Sequence, residues 1–338
     1  MSSLTKIAKD IGVSKATVSL ILNGKASQSR ISPETEEKVK NYCRQINYLP
    51  NIHAQRMTKA MVKNIGVLLN TGENIGEDSP LAEFNTAQIL GGIALASEKA
   101  GFSFTVRIYR EGMDEQIIFN SFRNREIDGL IYYGFQIPEH WKAIFAYENR
   151  HVVGIGITPV ENISSVNIDN FAVSCRLTKH LLKQGRRSFI YLAGVGASYP
   201  GEERYKGFLA ALQDNKIEFP SGNLFRADFN ELKSNRIVKD FFADRGNKAD
   251  AIVCANDAMA IGAVLGLRES GLEVPLDIAV TGGDNIPLGR YFTPALTTFD
   301  NHPRQLGEKA FEALMESING KGNKRITLKS KLIIRQSA

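Results

Sequence analysis

Lys15, Ala16 and Ser19 lie within the run Leu4-Thr5-Lys6-Ile7-Ala8-Lys9-Asp10-Ile11-Gly12-Val13-Ser14-Lys15-Ala16-Thr17-Val18-Ser19, at spacings that a helix would gather on one exposed face. An ammonium, a methyl and a hydroxyl so placed suit the edges of base pairs in a major groove, with Ala16 able to touch a thymine methyl. Thr17 and Lys25 suit phosphate oxygens instead. Two short helices must position them. The first carries Ile7, Ala8 and Ile11 on one face and stops at Gly12. Ser14 then caps a second that buries Val18, Ile21 and Leu22. So short a turn makes the helices cross steeply, and the pair reads as a helix-turn-helix with its second helix facing a groove.

Charge supports that reading. Residues 1–63 hold eleven Lys or Arg against four acids, a net +7, whereas the whole chain of 338 residues carries +6. A basic head on a nearly neutral body is what replacing the counterions of a phosphate backbone at one end requires. The head also has helical apolar periodicity, unlike a solvated lysine tail.

Other chemistries find little support. His53, His140, His151, His180 and His302 are dispersed without metal-ligand spacing, and Cys43, Cys175 and Cys254 form neither a disulfide framework nor a zinc site. Gly194-Val195-Gly196-Ala197 lacks the lysine and spacing of a phosphate loop. No catalytic residues, metal or cofactor are therefore assigned. No apolar run spans a bilayer and no secretory signal opens the chain, so a cytoplasmic protein without a membrane partner is expected, nucleoid-associated when bound to DNA.

Beyond the second helix, Asn23-Gly24 suits a left-handed cap, and Ser32-Pro33 opens a third helix that turns Val39, Tyr42 and Ile46 toward the other two. Tyr48-Leu49-Pro50-Asn51 ends this head, and residues 52–60 read either as two helical turns ordered against a partner copy and a groove or as a plain linker. From Asn64 short apolar strands alternate with amphipathic helices, the mark of parallel sheets covered on both faces. Strands are predicted at 65–69, 104–106, 129–132, 152–155, 189–192, 251–254 and 278–280, with helices such as 89–100, 172–184, 206–215 and 258–270 between them. Gly101, Gly185 and Gly271 cap three of those helices.

On these blocks the chain resembles the lactose/purine repressor family of bacterial transcriptional regulators. The head motif, then Leu22-Asn23-Gly24 and Tyr48-Leu49-Pro50-Asn51, are similar to the family's DNA-binding signature. Asp128-Gly129-Leu130-Ile131, Arg204-Tyr205-Lys206-Gly207-Phe208, Ala255-Asn256-Asp257-Ala258-Met259-Ala260-Ile261-Gly262 and Pro294-Ala295-Leu296-Thr297-Thr298 match body blocks in family order. The resemblance implies an α/β chain: an all-α helix-turn-helix headpiece (1–48), a hinge helix (49–62), and a periplasmic-binding-protein-like body (63–338). That body would comprise two doubly wound parallel-sheet subdomains, joined by crossing strands, and would serve effector binding and dimerisation. It further implies DNA contacts at Lys15, Ala16, Thr17, Ser19, Lys25, Asn51, Ala54 and Met57, with Met57 as a minor-groove wedge. Effector contacts would fall at Arg204, Phe229, Asn256 and Asp284, each just after a strand or in the loop beyond it. Arg204 could alternatively make a surface ion pair, and Asp257 could cap the helix at Ala258. Leu20 stands where an arginine is usual, Lys6 where an acid is usual, and Gly283 where an aromatic usually forms a pocket wall, which leaves that wall missing or wider.

The partners implied are double-stranded operator DNA, a second copy of the chain, and a small-molecule effector, a carbohydrate ahead of a nucleobase or phosphorylated sugar. A transporter's solute-binding module and a sugar-processing enzyme are the rival classes. The basic head argues against the first, and the want of any catalytic constellation argues against the second.

Overall fold

The computed structural model describes residues 4–22, 24–46, 48, 61–70, 81, 83–109, 115–134, 137–146, 151–196 and 198–338. It separates into two compact units, Met1–Val62 and Lys63–Ala338. In the first, helices α1 (Leu4–Ile11), α2 (Lys15–Leu22) and α3 (Pro33–Gln45) enclose a small core of Ile7, Ala8, Ile11, Val18, Ile21, Ala26, Val39 and Cys43. The caps follow the local chemistry. Ser14 Oγ accepts from Thr17 N at 2.9 Å and Ser32 Oγ accepts from Thr35 N at 3.2 Å, while Gly12 and Gly24 take the positive φ that ends α1 and α2. The Tyr42 hydroxyl donates to Asp10 Oδ2 at 2.6 Å and ties α3 to α1.

The second unit begins with strand β1 (Asn64–Asn70), helix α4 (Phe84–Lys99), β2 (Ser103–Tyr109), α5 (Gln116–Arg123), β3 (Gly129–Gly134), α6 (Glu139–Ala146), β4 (Val152–Ile155) and β5 (Ser164–Ile168). It continues through α7 (Asn170–Lys183), β6 (Phe189–Ala193), α8 (Tyr199–Asp214), β7 (Leu224–Arg226), α9 (Glu231–Ala243), β8 (Ala251–Cys254), α10 (Asp257–Glu269), β9 (Ala279–Thr281) and α11 (Pro287–Tyr291). It closes with β10 (Thr298–Asp300), α12 (Pro303–Ile318), β11 (Arg325–Leu328) and β12 (Lys331–Ile333). One parallel sheet has the order β11-β5-β4-β3-β1-β2 and the other β7-β6-β8-β9, while β10 and β12 pair antiparallel. The chain crosses between the two subdomains three times: after β5, between β10 and α12, and between β11 and β12. Asp169 N donates to Leu328 O at 3.0 Å and Ser330 Oγ to Asp300 O at 2.6 Å, so the three crossings are bonded to one another.

Six of the expected strands fall within observed ones, and the seventh, at 278–280, is displaced by a residue to Ala279–Thr281. Helix α8 starts seven residues before the expected 206, because Ser198 caps it and Pro200 sits in its first turn.

Helix packing depends on close approach. A Cβ at Gly92 would lie 2.0 Å from Arg304 O and one at Gly307 would lie 2.1 Å from Ile89 O, so α4 and α12 each press on the other's missing side chain. Gly207 meets Phe171 O (α8 on α7), and Gly262 meets Glu231 O at 2.0 Å (α10 on α9). Replacing glycine by alanine in an open helix stabilises it by up to about 1 kcal/mol. Here the sign reverses: Gly262→Ala is expected to lower the unfolding free energy by about 1–3 kcal/mol, measurable as an earlier urea midpoint at unchanged slope.

Candidate functional site

Helix α2 presents Lys15 and Ala16 fully exposed, with Ser19 and Leu20 half-exposed beside them. Val18 and Ile21 on the opposite face are buried in the head core. Thr17 is half-buried, and its hydroxyl and Ser14 Oγ are 2.8 Å apart, so it belongs to the cap as much as to the outward face. Lys25 is exposed just past the helix end, its N–H bonded to Leu20 O. Asn51, Ala54 and Met57 lie outside the described residues.

In the second unit, the four residues expected at the effector site all follow the carboxyl ends of strands in one sheet: Arg204 after β6, Phe229 after β7, Asn256 after β8 and Asp284 after β9. That is where open parallel sheets hold ligands. Arg204 is not in the loop after its strand but one turn into α8, where the early start of that helix places it. Nor does it form a surface ion pair. Only 8% exposed, it donates from Nε to Asn170 Oδ1 at 2.8 Å and from Nη1 to Ala255 O at 2.5 Å, and its Cζ lies 5.3 Å from the centre of the Phe299 ring.

Asp284 is also buried, with an amide donor from Asn301 on one oxygen and a further side-chain hydrogen bond from Asn85, across the cleft at the start of α4. Burial pushes its carboxyl from 3.8 up to about 7; Arg204 pulls it back down, and Asp257 and Glu83 add to the rise. The first subdomain contributes Tyr133 as well, hydrogen-bonded to Thr86. Burial raises the Tyr133 hydroxyl pKa, as do the carboxylates of Glu83 and Asp284. Asp284 and Asn285 also line a cavity of about 430 Å³ together with Phe84, Gln88, Asp300 and His302, within the size range of small-molecule pockets.

Asp257 is not the helix cap. Asn256 is: its Oδ1 accepts from Met259 N at 2.9 Å, which fixes its side chain and leaves its NH2 group free of that bond. Asp257, fully buried, instead accepts from Thr298 Oγ1 at 2.6 Å and from Ile286 N at 2.9 Å. Phe229, at φ +58°, lays its ring over Gly194, where a Cβ would sit 2.0 Å from the ring. The Phe299 ring lies 2.5 Å from where a Cβ at Gly283 would stand, so an aromatic there would clash.

Sequence reasoning did not single out Asn85, Thr86, Tyr133, Asn170, Phe299 or Asn301. A usable signal existed for two of them, since Phe299 and Asn301 directly follow the Leu296-Thr297-Thr298 block.

Comparison with known proteins agrees with both units. Residues 3–51 match the family model for bacterial regulatory proteins of the lacI family, and residues 178–338 match the periplasmic binding protein-like domain. The HTH-type transcriptional repressor PurR of Mannheimia succiniciproducens is 27% identical over 342 residues, covering 100% of this chain and 98% of that protein. The HTH-type transcriptional regulator CelR of Thermobifida fusca is 26% identical over 344 residues, covering 99% and 98%. Among solved structures, the lac repressor bound to ONPG in the repressed state superposes with a TM-score of 0.84 at 26% identity, covering 100% of this chain and 99% of that one. A CelR–cellobiose complex gives 0.74 at 25%, with full coverage of both. Among the described residues no helix is long and apolar enough to cross a membrane. Residues 3–51 thus match a lacI-type DNA-binding domain and residues 178–338 a periplasmic binding protein-like domain, and over its whole length the chain is similar to transcriptional regulators.

Proposed function

We propose that this regulator is a homodimeric repressor whose hold on operator DNA is set by a polyhydroxylated small molecule, a carbohydrate, bound between the two body subdomains. One observation carries the choice of effector. Asn85 Oδ1 and Asn301 Oδ1 are buried acceptors without a partner among the described residues, and both amides flank Asp284. Unpaired buried acceptors are costly, each by about 1–3 kcal/mol. Two unpartnered amide oxygens beside a carboxylate suit a ligand rich in O–H donors, while Arg204 and the Asn256 amide supply donors to its oxygens. Phe229 offers an apolar face for the C–H side of a sugar ring. Support also comes from the CelR–cellobiose complex among the similar structures. Lys15, Ala16 and Ser19 would meet base edges, Thr17 and Lys25 phosphates, and Asn51, Ala54 and Met57 the hinge contacts.

A ligand held by Asn85 on one subdomain and Asp284 on the other favours one angle between them, and the dimer transmits that angle to the segments leading to the heads. A hundredfold change in operator affinity needs about 2.7 kcal/mol of coupling.

A thermal-shift screen of sugars, nucleobases and sugar phosphates, followed by gel-shift titration of the hit, tests the reading. A stabilising sugar that alters operator affinity is expected, and a nucleobase as the only hit would overturn the carbohydrate assignment. Arg204→Lys keeps the charge but loses the planar fork. It should weaken the hit at least about tenfold with operator binding by the unliganded protein unchanged.

The Asp284 carboxyl gives a pH signature. Its folded pKa of about 7 stands above the ordinary 3.8, so the native state keeps a proton that the unfolded chain has lost. Its contribution to stability is therefore full at low pH and lost as pH rises through about 7. Stability of the free protein should therefore fall between about pH 4 and 7, and because effector hydroxyls prefer the carboxylate, effector affinity should climb as pH rises to about 7 and level off above it. Calorimetric titration and urea melts of Asp284→Asn should show both trends flattened.

A further inference from the structure

Helix α2 has five apolar side chains, and three of them, Val18, Ile21 and Leu22, pack into or against the head core. Ala16 and Leu20 do not: Ala16 is exposed, and Leu20 is half-exposed and absent from the side chains packed on that core. They are four residues apart and so stand one above the other on a single ridge. A leucine on a groove-facing helix, without a core to join, has no hydrogen-bonding group with which to read a base. It is also an unfavourable surface to leave in water unless something apolar covers it.

We infer that Ala16 and Leu20 together form an apolar reading ridge for thymine methyl groups, making Leu20 a specificity-determining residue of the operator half-site. The C5 methyl of thymine is the one apolar group a base pair shows in the major groove, and no other pair can satisfy such a ridge. Four helical residues rise about 6 Å, close to two steps of about 3.4 Å along a DNA strand, so the two thymines fall within about three base pairs. Lys15 and Ser19 flank the ridge. Ser14 and Thr17 are already engaged in the cap of α2.

The test uses the full-length protein. Binding-site selection from a random 30-base-pair duplex pool yields a consensus, and each thymine in it is then replaced singly by deoxyuridine, which deletes the methyl and keeps the pairing. Each half-site should contain two thymines whose replacement weakens wild-type binding by about fourfold, the worth of one buried methyl. In Leu20→Ala, one of those two replacements should cost nothing. Leu20→Arg should shift the preferred base at that position from thymine to guanine. Leu20 is partly buried but not among the side chains packed on the head core, so Leu20→Ala should cost little stability, and the deoxyuridine scan on wild type stands whatever that variant does. A consensus without thymines within reach of one another, or a deoxyuridine penalty equal in wild type and Leu20→Ala, would overturn the inference.

Discussion

A guanidinium held out of water without a bonded carboxylate constrains everything around the cleft. Arg204 is satisfied by an amide, a carbonyl and the face of Phe299, so its charge is solvated by dipoles and a ring rather than cancelled by an ion pair. Desolvating one ion costs several kcal/mol, and the nearby carboxyls repay it only in part, because their own burial favours the protonated form. The cleft thus sets a cation beside an acid whose pKa is raised to about 7. The polyol proposed above would accept from the guanidinium and donate to the carboxylate, and so complete both.

Keeping Asp284 at that point demands an awkward backbone. Asp284 and Asn285 both have positive φ, +120° and +55°, conformations that side-chain-bearing residues seldom adopt. The restraints come from below and behind the loop. Asp284 N donates to Phe299 O, Ile286 N to the buried Asp257, and Arg335 Nη2 to Asn285 Oδ1 at 2.6 Å. Gly282 and Gly283 give way to the Asp257 carboxylate and the Phe299 ring. Asp257 is therefore a buried post for the loop, its carboxyl raised by burial and lowered by the Thr298 hydroxyl, the Ile286 N–H and Arg335.

Fold and site were unequally legible in the sequence. Strands buried on both faces, such as Ile65-Gly66-Val67-Leu68-Leu69 and Ala251-Ile252-Val253-Cys254, announce themselves as apolar runs, and Gly101, Gly185 and Gly271 all take the positive φ expected after their helices. Strands β5, β7, β10 and β11 passed unnoticed because runs of three to five residues, about half of them polar, show no readable period. Arg204 and Asp284 were found through family blocks. Asn85 and Asn301 were invisible, since an amide becomes a ligand group only when two subdomains meet around it. The expectation for Asp257 failed for a related reason: which of two adjacent polar residues caps a helix depends on what the other must hold, and Asp257 is claimed by Thr298 and Ile286.

The same geometry decides how an effector can act at a distance. Asn85 belongs to the first subdomain, while Arg204, Asp284 and Asn301 lie with the second or at its border, and only three crossing segments join the two. Asp169 N to Leu328 O and Ser330 Oγ to Asp300 O make those segments one bonded waist. Stretching any one of them alone breaks a hydrogen bond of the waist, whereas rotating one subdomain against the other about it need not. A ligand with no preference between angles would shift nothing however tightly it bound. On the proposed reading, the Asn85–Asp284 pair would supply that preference, because its two halves belong to different subdomains.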